Sequence, residues 1–307
     1  MIICCGEALI DMLPRTSTQG EDAFAPYAGG AVFNTALALG RLGVDTSFFT
    51  GLSSDMFGDI LREALTASGV DHSPCATLDL NTTLAFVRLV DGQASYAFFD
   101  ENTAGRMITE AHLPDLAETA EALHFGAISL ISEPCGSTYE SLMRREHGSR
   151  VISLDPNIRP GFITDTEKHR ARIDRMIAMS DILKMSDEDL VWFGQPDMET
   201  AARTWLGQGP SLVVFTRGAK GAIGFSREHS VEMDGVAVTV ADTVGAGDTF
   251  NAGILASLKR DNLLTKQAVK TLSADAIRNA LSLGARAAAV TVSRPGANPP
   301  WAHEIDF

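Results

Sequence analysis

Short β-branched runs alternate with amphipathic helical patterns along most of this chain, and that alternation is what most narrows its fold. Strands are predicted at "IICC" (2–5), "TSFFTG" (46–51), "ALHFGAI" (122–128), "VISLD" (151–155), "DILKMS" (181–186) and "LVVFTRG" (212–218). Between them apolar residues recur three and four apart, as at Ile60, Leu61, Ala64 and Leu65 before Gly69. Another helix is predicted to open on the capping box Thr164-x-x-Glu167 and to bury Ile173, Met176 and Ile177. Strands separated by helices run parallel. The expected fold class is therefore α/β, a doubly wound, mostly parallel sheet with helices on both faces.

Two stretches break the rhythm. Residues 82–100 read as two strands joined by a turn at "DGQ", and residues 12–28 lack a helical period. Paired, they would make a small β sheet, either a peripheral excursion or a lid over the carboxyl ends of the main strands. No repeat, low-complexity tract or linker divides the chain. Residues 1–307 are thus expected to form a single domain, with a lid from roughly 12–28 and 82–100. A core of this size needs neither disulfides nor a structural metal, and the four cysteines show no C-x-x-C spacing. Reduced thiols in the cytoplasm are the expectation. A formal charge of −14, from 25 basic and 39 acidic residues, argues against nucleic-acid or anionic-membrane partners. Glu7 and Asp11 interrupt the N-terminal apolar run, and no 18 apolar residues are consecutive. Neither a signal peptide nor a membrane span is expected.

The chemistry concentrates in "GVAVTVADTVGAGDTFNAGILASL" (235–258), which reads as a strand, a glycine loop and a helix with Phe250, Ile254 and Leu258 on one stripe. Such a loop suits an anion, because backbone N–H groups and the helix dipole both favour negative charge there. It is not a Walker A loop, since no Lys-Ser/Thr follows. It is a poor dinucleotide fingerprint, since Phe250 replaces the third glycine and no acid follows some twenty residues on. Asp248 is the anomaly, a carboxylate where an arriving phosphate would want no like charge. Read alone, it is equally a plain acid at a helix N-terminus.

"DTVGAGDTFNAG" (242–253) resembles the C-terminal signature of the ribokinase-like carbohydrate kinases, the PfkB family. "YAGGAVFNTALALGRLG" (27–43) resembles the family's di-glycine signature, and "CGEALIDMLP" (5–14) its first strand and substrate-binding acid. "LDPNIRP" (154–160), "LKMSDEDL" (183–190), "VVFTRGAKGA" (213–222) and "AAAVTVSRPGA" (287–297) follow in the family's order. The resemblance spans essentially the whole chain. It implies an ATP-dependent sugar kinase in which Asp248 is the general base and the N–H groups of Gly245, Ala246 and Gly247 stabilise the transferring phosphoryl group. On this view the helix N-terminus keeps Asp248 ionised.

The same resemblance assigns Asp11, Gly29, Gly30, Asn34, Phe98, Asp100 and Asn157 to the sugar, and Arg159 to the transferred phosphate. Ser186, Thr216, Gly218 and Gly221 fall with Gly245 and Gly247 on the ATP side. It implies Mg²⁺, held mainly by phosphates and water with Asp189 acting through water, and K⁺ at Asp242 and the Val244 carbonyl. Two departures stand out. Ser186 and Asp189 replace the Asn-x-x-Glu of many relatives, and Ala285 stands where relatives often carry Asn. Ser186 and Asp189 also read as a helix capping pair.

For the sugar, relatives acting on 2-keto-3-deoxygluconate place an Arg after the paired aromatics, where this chain has Asp100 after Phe98 and Phe99. An acid there suits a neutral polyol. Within the family the whole is most similar to the bacterial fructokinase branch, which implies D-fructose phosphorylated at its 6-hydroxyl. Another neutral sugar or nucleoside, a keto-acid sugar, and a non-catalytic sugar-binding protein are the alternatives; the intact loop and Asp248 argue against the last. The apolar strands "LAFVRLV" and "SYAFF" imply a homodimer through the lid, although burial on the protein's own body would satisfy the same pattern.

Overall fold

The computed structural model describes residues 1–90 and 93–305, the side chains of 88–96 excepted. In chain order the strands are β1 (Ile2–Cys5), β2 (Leu9–Thr16), β3 (Asp22–Gly29), β4 (Thr46–Phe49), β5 (Gly51–Ser53), β6 (Val70–Asp71), β7 (Ala76–Leu78), β8 (Leu84–Val90) and β9 (Gln93–Phe99). They continue with β10 (Ala122–Gly126), β11 (Val151–Asp155), β12 (Ile182–Ser186), β13 (Leu212–Thr216), β14 (Ala222–Phe225) and β15 (Ser230–Met233). The helices are α1 (Ala31–Arg41), α2 (Met56–Ala67), α3 (Cys135–Glu146), α4 (Thr166–Met179), α5 (Asp187–Trp192), α6 (Met198–Leu206), α7 (Ala246–Arg260) and α8 (Ala274–Val292).

Among the described residues nine strands form the main sheet, in the order β15-β14-β13-β12-β11-β10-β1-β4-β6. From β6 to β13 every pair is parallel; β14 and β15 close the edge antiparallel. From β1 the chain first winds outward through β4 and β6, then returns to build β10 to β13 on the other side. The order therefore reverses between β1 and β10, and the crevice at their carboxyl ends is where such sheets hold ligands. Strand alternation sorts the core into two layers. Ile2 and Cys4 pack with α1, α2, α7 and α8, while Ile3 and Cys5 pack with α3, α4, α5 and α6. Against α7 the alternation turns polar: His124, Ser153, Asp155 and Lys184 occupy buried positions where apolar residues would otherwise sit.

A second sheet, β3-β2-β8-β9, stands apart from the first. It joins the two segments expected to pair, with β2–β3 and β8–β9 antiparallel and β2–β8 parallel. Asp91 and Gly92 of the expected turn lie outside the described residues. Its register puts Tyr27, Asp11, Ala85 and Phe98 in one row across the four strands.

Three local expectations are corrected. The run 46–51 divides, β4 joining the main sheet and β5 pairing instead with β7. Helix α4 is capped by Asp165, whose carboxylate accepts from Lys168 N at 2.9 Å, so Thr164 lies outside it. The alternating run "GVAVTV" is not a strand. It follows β15 past the sheet edge and finds no strand to pair with, and Ala241 N bonds instead to the Val292 carbonyl at the end of α8.

Candidate active site

The crevice between β1 and β10 is walled by the starts of two helices. Helix α1 begins after Gly30 (φ 113°), where a Cβ would stand 2.8 Å from the Glu7 carbonyl. Glycine cannot cap with a side chain, so Glu7 does it from the end of β1. One carboxylate oxygen accepts from Ala31 N (2.7 Å) and Val32 N (3.3 Å), and the other from Ser129 N (3.3 Å). Burial raises the Glu7 carboxyl to about 7 against the pull of these bonds. Gly29 has a similar steric reason, since its Cβ would meet Asp11 Oδ2 at 2.3 Å. Asp11 is itself raised to about 6 by burial.

Helix α7 begins after its cap, Gly245 (φ 77°), where a Cβ would meet Ala297 at 2.8 Å. Its first-turn N–H groups have no intrahelical acceptor, though Ala246 N closes a long 3.3 Å turn onto the Thr243 carbonyl. Asp248, in that first turn, is buried, and its Oδ2 accepts from Asn34 Nδ2 at 2.9 Å. The helix start is expected to keep it ionised; burial works against that. Burial raises its pKa to about 7; Asp155 and Glu7 add to the rise, while Asn34 and Lys184 oppose it. A base poised near neutrality is the more effective one. Asn34 Oδ1 is buried without a partner.

Below this turn lies a cluster of which the sequence reading singled out only Asp155, at the end of its strand, and not Lys184, Asn251, His124 or Ser153. Asp155 Oδ2, at the end of β11, takes bonds from Asn251 Nδ2 of α7 (2.7 Å) and Lys184 Nζ of β12 (3.1 Å). His124 shares a 3.0 Å bond with Ser153, and burial lowers its pKa to about 3, so it is neutral. The available signal was a polar letter at alternate positions of buried runs, as in "LHFG", "ISLD" and "LKMS".

Other expected site residues divide. Asn157 adopts a positive φ of 43° and lines the crevice with Asp155 and Asp248. Arg159 is exposed, and its guanidinium bonds only the neighbouring Ile158 carbonyl (3.0 Å), with no carboxylate paired to it among the described residues. Phe98 stacks edge-on against Phe162 at 4.4 Å, tying the second sheet to the segment after Arg159. Asp100 is not a free acceptor: Arg106 donates to one oxygen (3.1 Å) and Ser132 to the other (3.0 Å).

Ser186 and Asp189 form a capping box on α5. Asp189 also accepts from Ile158 N (2.7 Å) and is 1% exposed. Its carboxylate is thus spent inside the fold, which does not fit a metal ligand. Thr216 donates to the Met185 carbonyl at 3.4 Å. Gly218 faces open space, whereas a Cβ on Gly221 would strike the Met233 carbonyl at 2.0 Å, which makes Gly221 a packing glycine. Asp242 accepts from Val244 N (3.0 Å) and Gly296 N (2.9 Å), bracing the loop ahead of α7.

Solved structures set the class. A fructokinase from Xylella fastidiosa with bound ATP superposes with a TM-score of 0.83 at 28% identity, over 96% of this chain and 93% of that one. A fructokinase double mutant from Vibrio cholerae O395, bound to fructose, ADP and potassium ion, gives 0.84 at 25% identity over 96% and 93%. The fold is that of the ribokinase-like kinases. The model of the pfkB family carbohydrate kinases matches residues 1–304, and the chain belongs to that family. A fructokinase of Rhizobium leguminosarum bv. trifolii is 65% identical over 280 residues, 91% of this chain and 86% of that protein.

Proposed function

We propose that this chain is an ATP-dependent fructokinase that transfers the γ-phosphoryl group of ATP to the 6-hydroxyl of D-fructose. The observation that carries the reading is the buried Asp248 carboxylate, held by Asn34 beside the glycine-led start of α7. The high identity to a fructokinase directs it to fructose. Asp11 and the unpartnered Asn34 oxygen offer acceptors for sugar hydroxyls, and Gly29 and Gly30 let the ring approach the backbone. Asp248 accepts the proton of the 6-hydroxyl as O6 bonds to the γ-phosphorus. The bond from that phosphorus to the β-γ bridging oxygen breaks, and ADP leaves. First-turn N–H groups of α7, led by Gly245 and Gly247, stabilise charge on the phosphoryl oxygens. Arg159, unpaired and at the rim, is free to reach the same oxygens.

The second sheet acts as a lid of the one domain. Phe98 packs against Phe162 on the body, beside the core packing of Ile10, Met12, Ala28 and Leu84 from the same sheet, and closure excludes water. Magnesium supplies charge neutralisation of the phosphates when bound. It would be held mainly by the phosphates and water. Asp242 and the Val244 carbonyl offer the all-oxygen donors that suit K⁺. The lid also presents Phe24 (48% exposed), Phe86 and Phe99 (59% exposed) as edge-on rings 5.0 and 5.5 Å apart. That apolar face is the surface through which two copies pair. All four cysteines are free, which suits a cytoplasmic, reducing setting.

A coupled assay of ADP release tests the reading, run over D-fructose, D-glucose, D-ribose, a nucleoside and 2-keto-3-deoxygluconate. Fructose should give the highest kcat/KM, with fructose 6-phosphate as product. Sugar binding without phosphorylation of any of them would sink it.

A further inference from the structure

One buried cation has so far entered only by opposing the rise in the Asp248 pKa. Lys184 lies between Leu183 and Met185 in β12; its side chain is 5% exposed and pairs with Asp155. Approached from the other side, a Cβ on Gly247 would stand 3.2 Å from the Lys184 Nζ. The ammonium therefore sits directly beneath the backbone that opens α7. An apolar side chain would fill the strand position at lower desolvation cost. Nor does the fold need the cation to anchor Asp155, because Asn251 already holds the same oxygen at 2.7 Å, while Asp155 Oδ1 is buried with no partner. Burial opposes the charge on Lys184, but Asp155, Asp189 and Asp248 outweigh it and hold its pKa above the ordinary lysine value. The group is a permanent cation.

We propose that Lys184 is a positioning residue for phosphoryl transfer, the fixed positive charge that backs the Gly245–Gly247 turn and stabilises the terminal phosphoryl group of ATP through it. The inference rests on the kinase reading above. Backbone N–H groups carry only partial charges, whereas the terminal phosphoryl oxygens are strongly anionic. A full charge one layer behind, shielded from water, acts across several ångströms without occupying the cleft. Four groups surround the base from separate elements: Glu7 after β1, Asn34 on α1, Asp155 on β11 and Lys184 on β12. Lys184 is the cation among them, so the charge that supports the phosphoryl group also favours the carboxylate form of Asp248.

Lys184→Met alone leaves a buried, unpaired carboxylate and can fail to fold. The test therefore compares Lys184→Met/Asp155→Asn with Asp155→Asn in the full chain, with thermal unfolding as the check on folding. Relative to Asp155→Asn, the double variant should lose roughly 10- to 100-fold in kcat/KM for ATP, while KM for fructose stays within about threefold. If Lys184 is only the counter-ion of Asp155, the two variants turn over within about threefold of each other, and the proposal is overturned. Calorimetry without sugar reads the same charge with no turnover. The preference for a non-hydrolysable ATP analogue over ADP should drop in the double variant, and an unchanged preference also overturns the proposal. Should the unaltered chain phosphorylate no sugar while this preference still depends on Lys184, the fructokinase reading fails and the assignment of Lys184 stands.

Discussion

Asp248 titrates where most enzymes work, because burial lifts its carboxyl to about 7 while Asn34 and Lys184 pull it down. The protonated form cannot accept a proton, so kcat/KM for fructose should rise about tenfold per pH unit below that value and level off above it. A pH profile from mildly acidic to mildly basic conditions checks the direction; a flat profile would remove Asp248 from the base role. Asp248→Asn should lower kcat by roughly two to four orders of magnitude, with fructose affinity, measured by calorimetry, little changed. Asp248 stood out in the sequence as an acid after a glycine turn at a helix start, and only the family resemblance, not the loop alone, suggested it as a base. Lys184 did not stand out, because a single lysine in "LKMS" reads as an interruption of a strand until its neighbours in space are known. Ser186 and Asp189 were legible as a capping pair, and the cap is what the fold makes of them.

Elements show the same division between local and non-local information. The start of α1 depends on Glu7, a residue of the loop between β1 and β2 that replaces the side chain Gly30 lacks. Glu7→Ala should strip buried N–H groups of their acceptor, costing about 1–3 kcal/mol and lowering the thermal unfolding midpoint by several degrees. Because α1 also carries Asn34, the fructose KM should rise in the same variant. The Phe98–Phe162 contact between lid and body is worth about 1 kcal/mol, or roughly fivefold. Phe162→Ala should raise the fructose KM by that factor and leave the ATP KM near its original value, as initial-rate kinetics would reveal. Strands β1 and β11 were readable from their apolar runs, each ended by a glycine or an acid. "GVAVTV" misled because alternation describes a strand's preference, whereas a strand also needs a neighbour with free N–H and carbonyl groups. At α4 two good caps, Thr164 and Asp165, stand side by side, and only the backbone decides between them.

At the scale of the whole molecule, the reversal of strand order beside β1 brings the starts of α1 and α7 together as the walls of one crevice. The parallel sheet and the small β sheet were legible from the change of rhythm along the chain. The antiparallel edge of β14 and β15 was not, because its short runs carry little pattern. The proposed pairing through the lid carries a further prediction. Phe24→Arg should convert a dimer to a monomer in sedimentation velocity, since it places a charge among the edge-on rings of Phe24, Phe86 and Phe99. A natural chain that sediments as a monomer would remove the lid face as an interface.

The Asn34–Asp248 hydrogen bond spans 214 residues of sequence, and that distance has a consequence for synthesis. The residues that open α1 leave the ribosome first, and Asp248 and its helix emerge only when more than three-quarters of the chain has been made. The crevice therefore gains its second wall, and with it the Asn34–Asp248 bond, only late in synthesis.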